Sequence, residues 1–155
     1  MAVEQKQKPS YAMKAGRIKT YNPREVTCSL GSHIVEGYAE DSFIQIEPNG
    51  DGITKKVGCD GEIVRSVSPD RTYNIRIALL RSSASAKFLQ DKFDEDVENG
   101  NALFPILIKD LKGGMVFASD SCWVVRSAPR QFGRQAPDLE WELSTGEADL
   151  TEEGE

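Results

Sequence analysis

Thr72-Tyr73-Asn74-Ile75-Arg76-Ile77-Ala78-Leu79-Leu80 is the stretch that decides the fold. Tyr73, Ile75, Ile77 and Leu79 alternate with Asn74, Arg76 and Ala78. Apolar residues at every second position predict a β-strand with one face in a core and the other toward water or a polar lining. A second run answers it near the end of the chain. There Leu139, Trp141 and Leu143 alternate with Glu140, Glu142 and Ser144, giving one apolar and one acidic face.

Between and before these runs the pattern is short strands cut by turn residues. Residues 26–30, 33–38, 42–47, 53–57 and 62–67 read as strands. Gly31-Ser32, Asp60-Gly61 and Ser68-Pro69-Asp70 read as turns, and residues 48–52 (PNGDG) as the hairpin loop joining strands 42–47 and 53–57. After residue 80, Ser82-Ser83 offers a helix N-cap. Leu89, Phe93 and Val97 recur at helical spacing, with Asp91, Asp94, Glu95 and Glu98 on the other face, and Asn99-Gly100 stops the helix. Residues 103–109, 115–119 and 122–127 read as strands, the last two separated near Asp120. The result is a mainly β chain: an antiparallel sandwich or barrel with one flanking α-helix over about residues 83–98. Three segments follow: a flexible basic arm (1–24), a β domain (25–145), and an acidic, mobile tail (146–155).

The chain has 155 residues, 39% hydrophobic and 28% charged, enough apolar content for a real core. Its longest apolar stretch, residues 102–108, is broken by Pro105 and falls far short of the roughly 20 residues a membrane span needs. The first residues carry no apolar signal-peptide core. A membrane protein, a secreted disulfide scaffold and a fibrous repeat are thus not expected. Net charge is −6, the wrong sign for a protein that grips phosphate backbones. The charge is divided: residues 1–24 sum to +5 and residues 131–155 to −7. Opposite ends suit head-to-tail association of identical subunits, and equally suit two solvated tails. Cys28, Cys59 and Cys122 have no metal or dithiol spacing and read as reduced core or near-core residues.

The residues suggest no anchored chemistry. His33 is the only histidine and reads as structural. There is no nucleophile elbow, phosphate loop or dinucleotide fingerprint. Glu47-Pro48-Asn49-Gly50-Asp51-Gly52 resembles the start of a calcium loop, but Glu47 and Gly58 stand where Asp and Glu belong, so a plain turn is the reading. Lys109, Asp110 and Asp120 read as solvated charges. No catalytic residue, metal or cofactor is expected. Trp123 and Trp141 read as core, with the alternative of intersubunit anchors; Phe43 and Phe132 join them as interface candidates.

The order of motifs now carries a resemblance. Residues 34–44 (IVEGYAEDSFI) lead through the turn at 49–52 to residues 57–66 (VGCDGEIVRS) and 77–85 (IALLRSSAS). Phe104-Pro105, Lys109-Asp110, Trp123 and Phe132-Gly133 follow. Over about residues 25–145 this resembles the tail tube structural proteins of contractile-tailed bacteriophages. The resemblance implies subunits that close into hexameric rings, and rings that stack into a hollow tube inside the tail sheath, their inner sheets joined into one β-barrel around the channel. Implied partners are other copies of the chain, the sheath protein, the tape measure protein, and baseplate and terminator proteins. Viral DNA would pass through the lumen unbound. The place is the virion, after assembly in the host cytoplasm. An acidic lining would repel phosphates; Asn74, Arg76, Glu140 and Glu142 are the candidate lumen residues, unless Glu140 and Glu142 face the sheath. Related roles are a terminator or baseplate-proximal ring and the inner tube of a contractile secretion or bacteriocin device. A small ligand-binding β-barrel is the reading from another class.

Overall fold

The computed structural model describes residues 18, 20–41 and 43–153; of the arm expected over residues 1–24, residues 1–17 and 19 lie outside them. Among the described residues, ten strands and one helix follow a short 3₁₀ turn (Pro23–Glu25). They are β1 (Val26–Leu30), β2 (His33–Ile34), β3 (Ile44–Pro48), β4 (Ile53–Val57), β5 (Ile63–Val67), β6 (Tyr73–Leu79), α1 (Ala84–Asn99), β7 (Phe104–Asp110), β8 (Met115–Arg126), β9 (Leu139–Thr145) and β10 (Ala148–Glu152). Eight of the strands make one antiparallel sheet in the order β2-β1-β7-β8-β9-β6-β3, with β10 also on β8. The mainly β fold with a flanking helix is therefore the fold the alternation foretold.

β8 explains how one sheet encloses a core. The expectation of two strands broken near Asp120 is corrected: β8 is continuous but changes partners there. Residues 115–119 pair with both β7 and β10, whereas from Cys122 onward β8 pairs with β9. Bulges mark the change, one between Phe104 and Ile106 and one between Val124 and Arg126. An extra residue bends a strand and sharpens its twist. Pro105 sits in the first bulge, where no ladder N–H is demanded of it, and its carbonyl accepts from Gly31 N at 2.8 Å. Ser119, buried at the bend, donates its hydroxyl to Glu147 O at 2.9 Å and so anchors the approach to β10.

The inward alternates of all these strands form one core. Cys28, Leu30, Ile106, Ile108 and Phe117 meet Ile75, Ile77, Leu79, Trp141 and Leu143 there. Full burial of each large apolar side chain contributes about 1.5–3 kcal/mol. Tyr73 packs edge-on against Phe117 at 5.1 Å.

Helix α1 starts at Ser83, whose side chain accepts from Ser85 N, and ends on Gly100 in the left-handed region (φ 70°). It packs through its first half: Ser85, Ala86 and Leu89 are buried. Val97 does not join that face and is 70% exposed. His33 is structural. Its Nε2 lies 2.8 Å from Ser85 Oγ, its ring stacks on Phe88 at 4.4 Å, and Ser85 Oγ also accepts from Glu36 N at 3.0 Å. Together these tie β2 to the helix start.

Other expectations are corrected. The run at 33–38 is a strand only over His33–Ile34; beyond it Tyr38 makes a single bridge to Leu79. Residues 48–52 do not join a hairpin: β3 pairs with β6, and β4 pairs only with β5. The tail expected to be mobile from Gly146 forms β10 over Ala148–Glu152. Cys59 is exposed at the β4–β5 turn rather than near the core.

The two buried cysteines differ from it chemically. Burial pushes the Cys28 thiol up to about 12 and the Cys122 thiol well above its ordinary value. The thiolate is the reactive form. A maleimide at pH 7.5 is therefore expected to label one site, Cys59, in the native protein and all three cysteines in denaturant. Rapid native labelling of Cys28 or Cys122 would contradict this core.

Candidate assembly surfaces

The half of the sheet ordered β8-β9-β6-β3 carries a polar outer face. Register builds it row by row, since residues directly opposite one another share a face. One row runs Gln45, Arg76, Glu142, Arg126 across β3, β6, β9 and β8. Glu142 accepts from Arg126 at 2.9 Å. The next row runs Glu47, Asn74, Ser144, Trp123, where Ser144 Oγ donates to Asn74 Oδ1 at 3.3 Å. Glu140 stands opposite Ala78 on the same face. Asn74, Arg76, Glu140 and Glu142 are thus brought together on one surface. Its charge is mixed: Glu47, Glu140 and Glu142 against Arg76 and Arg126.

Both edges of this half are open among the described residues. β3 pairs only with β6, and residues 123–126 of β8 pair only with β9. An open edge presents unpaired backbone donors and acceptors, a template for another strand.

The four aromatic candidates separate. Trp141 is corrected as an interface residue: it is 0% exposed, in phase with Leu139 and Leu143, and filled into the chain's own core. Trp123 is half-buried on the polar face. Phe43 is half-buried and packs on Tyr38 at 4.8 Å. Phe132 is 84% exposed in the loop before β9, with the Arg81 guanidinium 4.9 Å over its ring.

Two features escaped the sequence reading. The β4–β5 hairpin is exposed along every residue of both strands. Its pairs Ile53–Val67, Lys55–Arg65 and Val57–Ile63 lie on one face, and Thr54–Ser66 and Lys56–Val64 on the other. The second feature is a groove of about 620 Å³ between the β3 side, the starts of β1 and β8 and the end of β7. Its floor includes Phe43, Ile44, Ile46, Ile108 and Met115, and Glu40, Asp41 and Asp110 also line it. The only available signal was the density of apolar side chains in a stretch without alternation, Ile53 to Val67. Among the described residues no group of three His, Cys, Asp or Glu side chains could hold a metal.

Known structures place this architecture in a class. The fold is similar to the anti-feeding prophage cap that terminates its tube, with a TM-score of 0.58 at 10% identity, covering 87% of this chain and 93% of that one. It is similar to a chain of the PVC sheath/tube terminator of an extracellular contractile injection system in its extended state (TM-score 0.59, 11% identity, 86% and 98% covered). A chain of the PVC sheath–tube complex matches likewise (0.56, 9%, 86% and 92%). At these identities the likeness is one of fold.

Sequence then fixes the family. Residues 23–151 match the family described as Bacteriophage PhiTE tail tube protein, and the chain belongs to that family. Structural protein ORF10 of Pseudomonas phage KPP10 is 28% identical over 138 residues, covering 84% of this chain and 80% of its own length. The chain is a phage tail tube structural protein, a component of the virion.

Proposed function

We propose that this chain forms the inner tube of a contractile phage tail, six copies closing into a ring and rings stacking into a conduit for genome ejection. The observation that carries this is the four-stranded half β8-β9-β6-β3, with one face in the core, a polar face outside and an open edge on each side. Joining β3 of one copy to the end of β8 of the next would satisfy both edges and close the sheets into a barrel. A contact that also repeats along an axis builds an open filament.

In this arrangement the polar rows line the bore. Arg126 is paired with Glu142 at 2.9 Å, and Glu47, Glu140 and Glu142 outnumber Arg76 and Arg126 on this face. The tape measure protein and later DNA would slide over a surface with no basic patch to hold them. The sheath packs outside, and baseplate and terminator proteins close the ends.

Electron microscopy of the concentrated, purified protein tests the reading. Long hollow tubes of six-fold rings are the expected result. Rings that never stack would move the chain to a terminator position. A monomer at every salt concentration would overturn the assembly.

A further inference from the structure

We propose that in the free subunit the basic segment 1–17 folds back onto its own chain, fills the groove beside β3, and so covers the open strand edge until a ring closes. The docking stands on the groove and the segment; its consequence for assembly rests on the ring reading above. The groove is shaped for an extended peptide. A second hollow of about 500 Å³ continues it, and Pro23, Val26, Glu40 and Phe43 line both. The floor is apolar, with Ile44, Ile46, Ile108 and Met115. The rim is acidic: Glu40 and Asp41 are exposed there, and among the described residues neither is paired with a cation. The segment has the complementary content. Tyr11 and Met13 supply apolar side chains and Lys14 and Arg17 supply cations close together. Matched potentials of this kind fix register and reject wrong pairings.

The segment also starts in the right place, since Tyr21 and Pro23, which it leads into, line the groove. The stretch from Tyr11 to Tyr21 can span up to about 35 Å when extended, so the link imposes no strain. A tether this short gives an effective concentration on the order of millimolar, which favours a chain's own groove over that of another copy. β3 pairs only with β6, so a groove between β3 and the opposite layer runs past its open edge. A segment lying there shields the backbone groups a neighbouring copy would take, and protected edges keep lone subunits from pairing at random. Ring closure has to displace it.

Zero-length carbodiimide coupling of dilute, unassembled protein, mixed from ¹⁴N and ¹⁵N chains, tests the docking. The expected product is a single-isotope link from Lys8 or Lys14 to Glu40 or Asp41. A mixed-isotope link would put the segment on another copy and overturn the proposal, and so would segment lysines that couple only elsewhere. Oxidation of Met115 on the groove floor by peroxide gives a second readout, because sulfoxide formation follows exposure. K14E/R17E is expected to speed it about threefold or more, as reversed ion pairs release the segment. Adding E40K/D41K should restore the protection. Unchanged oxidation in the double variant, or no recovery in the four-fold one, would refute the docking. Y11S/M13S, which keeps the net charge, should assemble at a lower protein concentration than wild type; an unchanged threshold would refute the covering of the edge. If the wild-type chain forms neither rings nor tubes, the ring reading fails, while coupling and oxidation still decide the docking.

Discussion

Replacing Trp141 with alanine is expected to remove about 3–5 kcal/mol of stability, the usual cost of deleting a large buried aromatic. Native domains hold only about 5–15 kcal/mol in total, so the variant should be largely unfolded at moderate denaturant. The reason lies in its position. Trp141 is fully buried on β9, opposite Ile77 on β6, with Leu139 and Leu143 in phase on either side. The Arg130 guanidinium lies 5.3 Å from its ring. The indole Nε1 is buried and donates to no described residue. An orphaned buried donor carries a desolvation penalty of about 1–3 kcal/mol. Trp141→Phe removes that donor together with some volume, so the two effects oppose. Urea melts should therefore show a small loss for phenylalanine and a large one for alanine. A similar small loss for both would mean that the indole is not a core filler.

That residue also shows what was legible beforehand. Trp141 stands in register with Leu139 and Leu143, and Trp123 stands out of register with Cys122 and Val124. The two read alike in the sequence, as core with an interface alternative, although their phase within the strands differs: one is inside and the other on the polar face. The same rule put Asn74, Arg76, Glu140 and Glu142 on a common surface, because each strand has one side in the core. The rule fails where no side is buried. In β10 only Ala148 is buried, and the strand is held to β8 by backbone bonds that leave no trace in side-chain pattern. In β4 and β5 both faces are exposed, so apolar residues fall on either. Turn residues at 48–52 mark a reversal without saying which strands pair across it. The groove is equally invisible, since it is lined from segments as distant as Tyr21 and Met115. The family match, by contrast, was readable from motif order.

The largest effect on assembly is expected from Ile46→Pro: a folded chain that makes no tubes. Its logic is the hydrogen-bond alternation of an antiparallel pair. Phe43 O accepts from Ala78 N at 2.9 Å and Asn49 N donates to Thr72 O at 3.0 Å, which puts Gln45 and Glu47 in the bonded phase with β6. Ile44, Ile46 and Pro48 then turn their backbone groups to the open edge. Pro48 has no N–H to offer there, so Ile44 and Ile46 supply the donors a neighbouring strand would use. Proline at residue 46 deletes one of them and sacrifices no bond to β6; edge strands tolerate it for that reason. The lost isoleucine packing should lower stability by about 1–3 kcal/mol, leaving a cooperative melt. Ile46→Val keeps the donor at a cost of about 0.5–1.5 kcal/mol and should still assemble. If the proline variant forms tubes as readily as the valine variant, the ring does not close through β3. The polar rows Gln45–Arg76–Glu142–Arg126 would then have to be placed on some surface other than the bore.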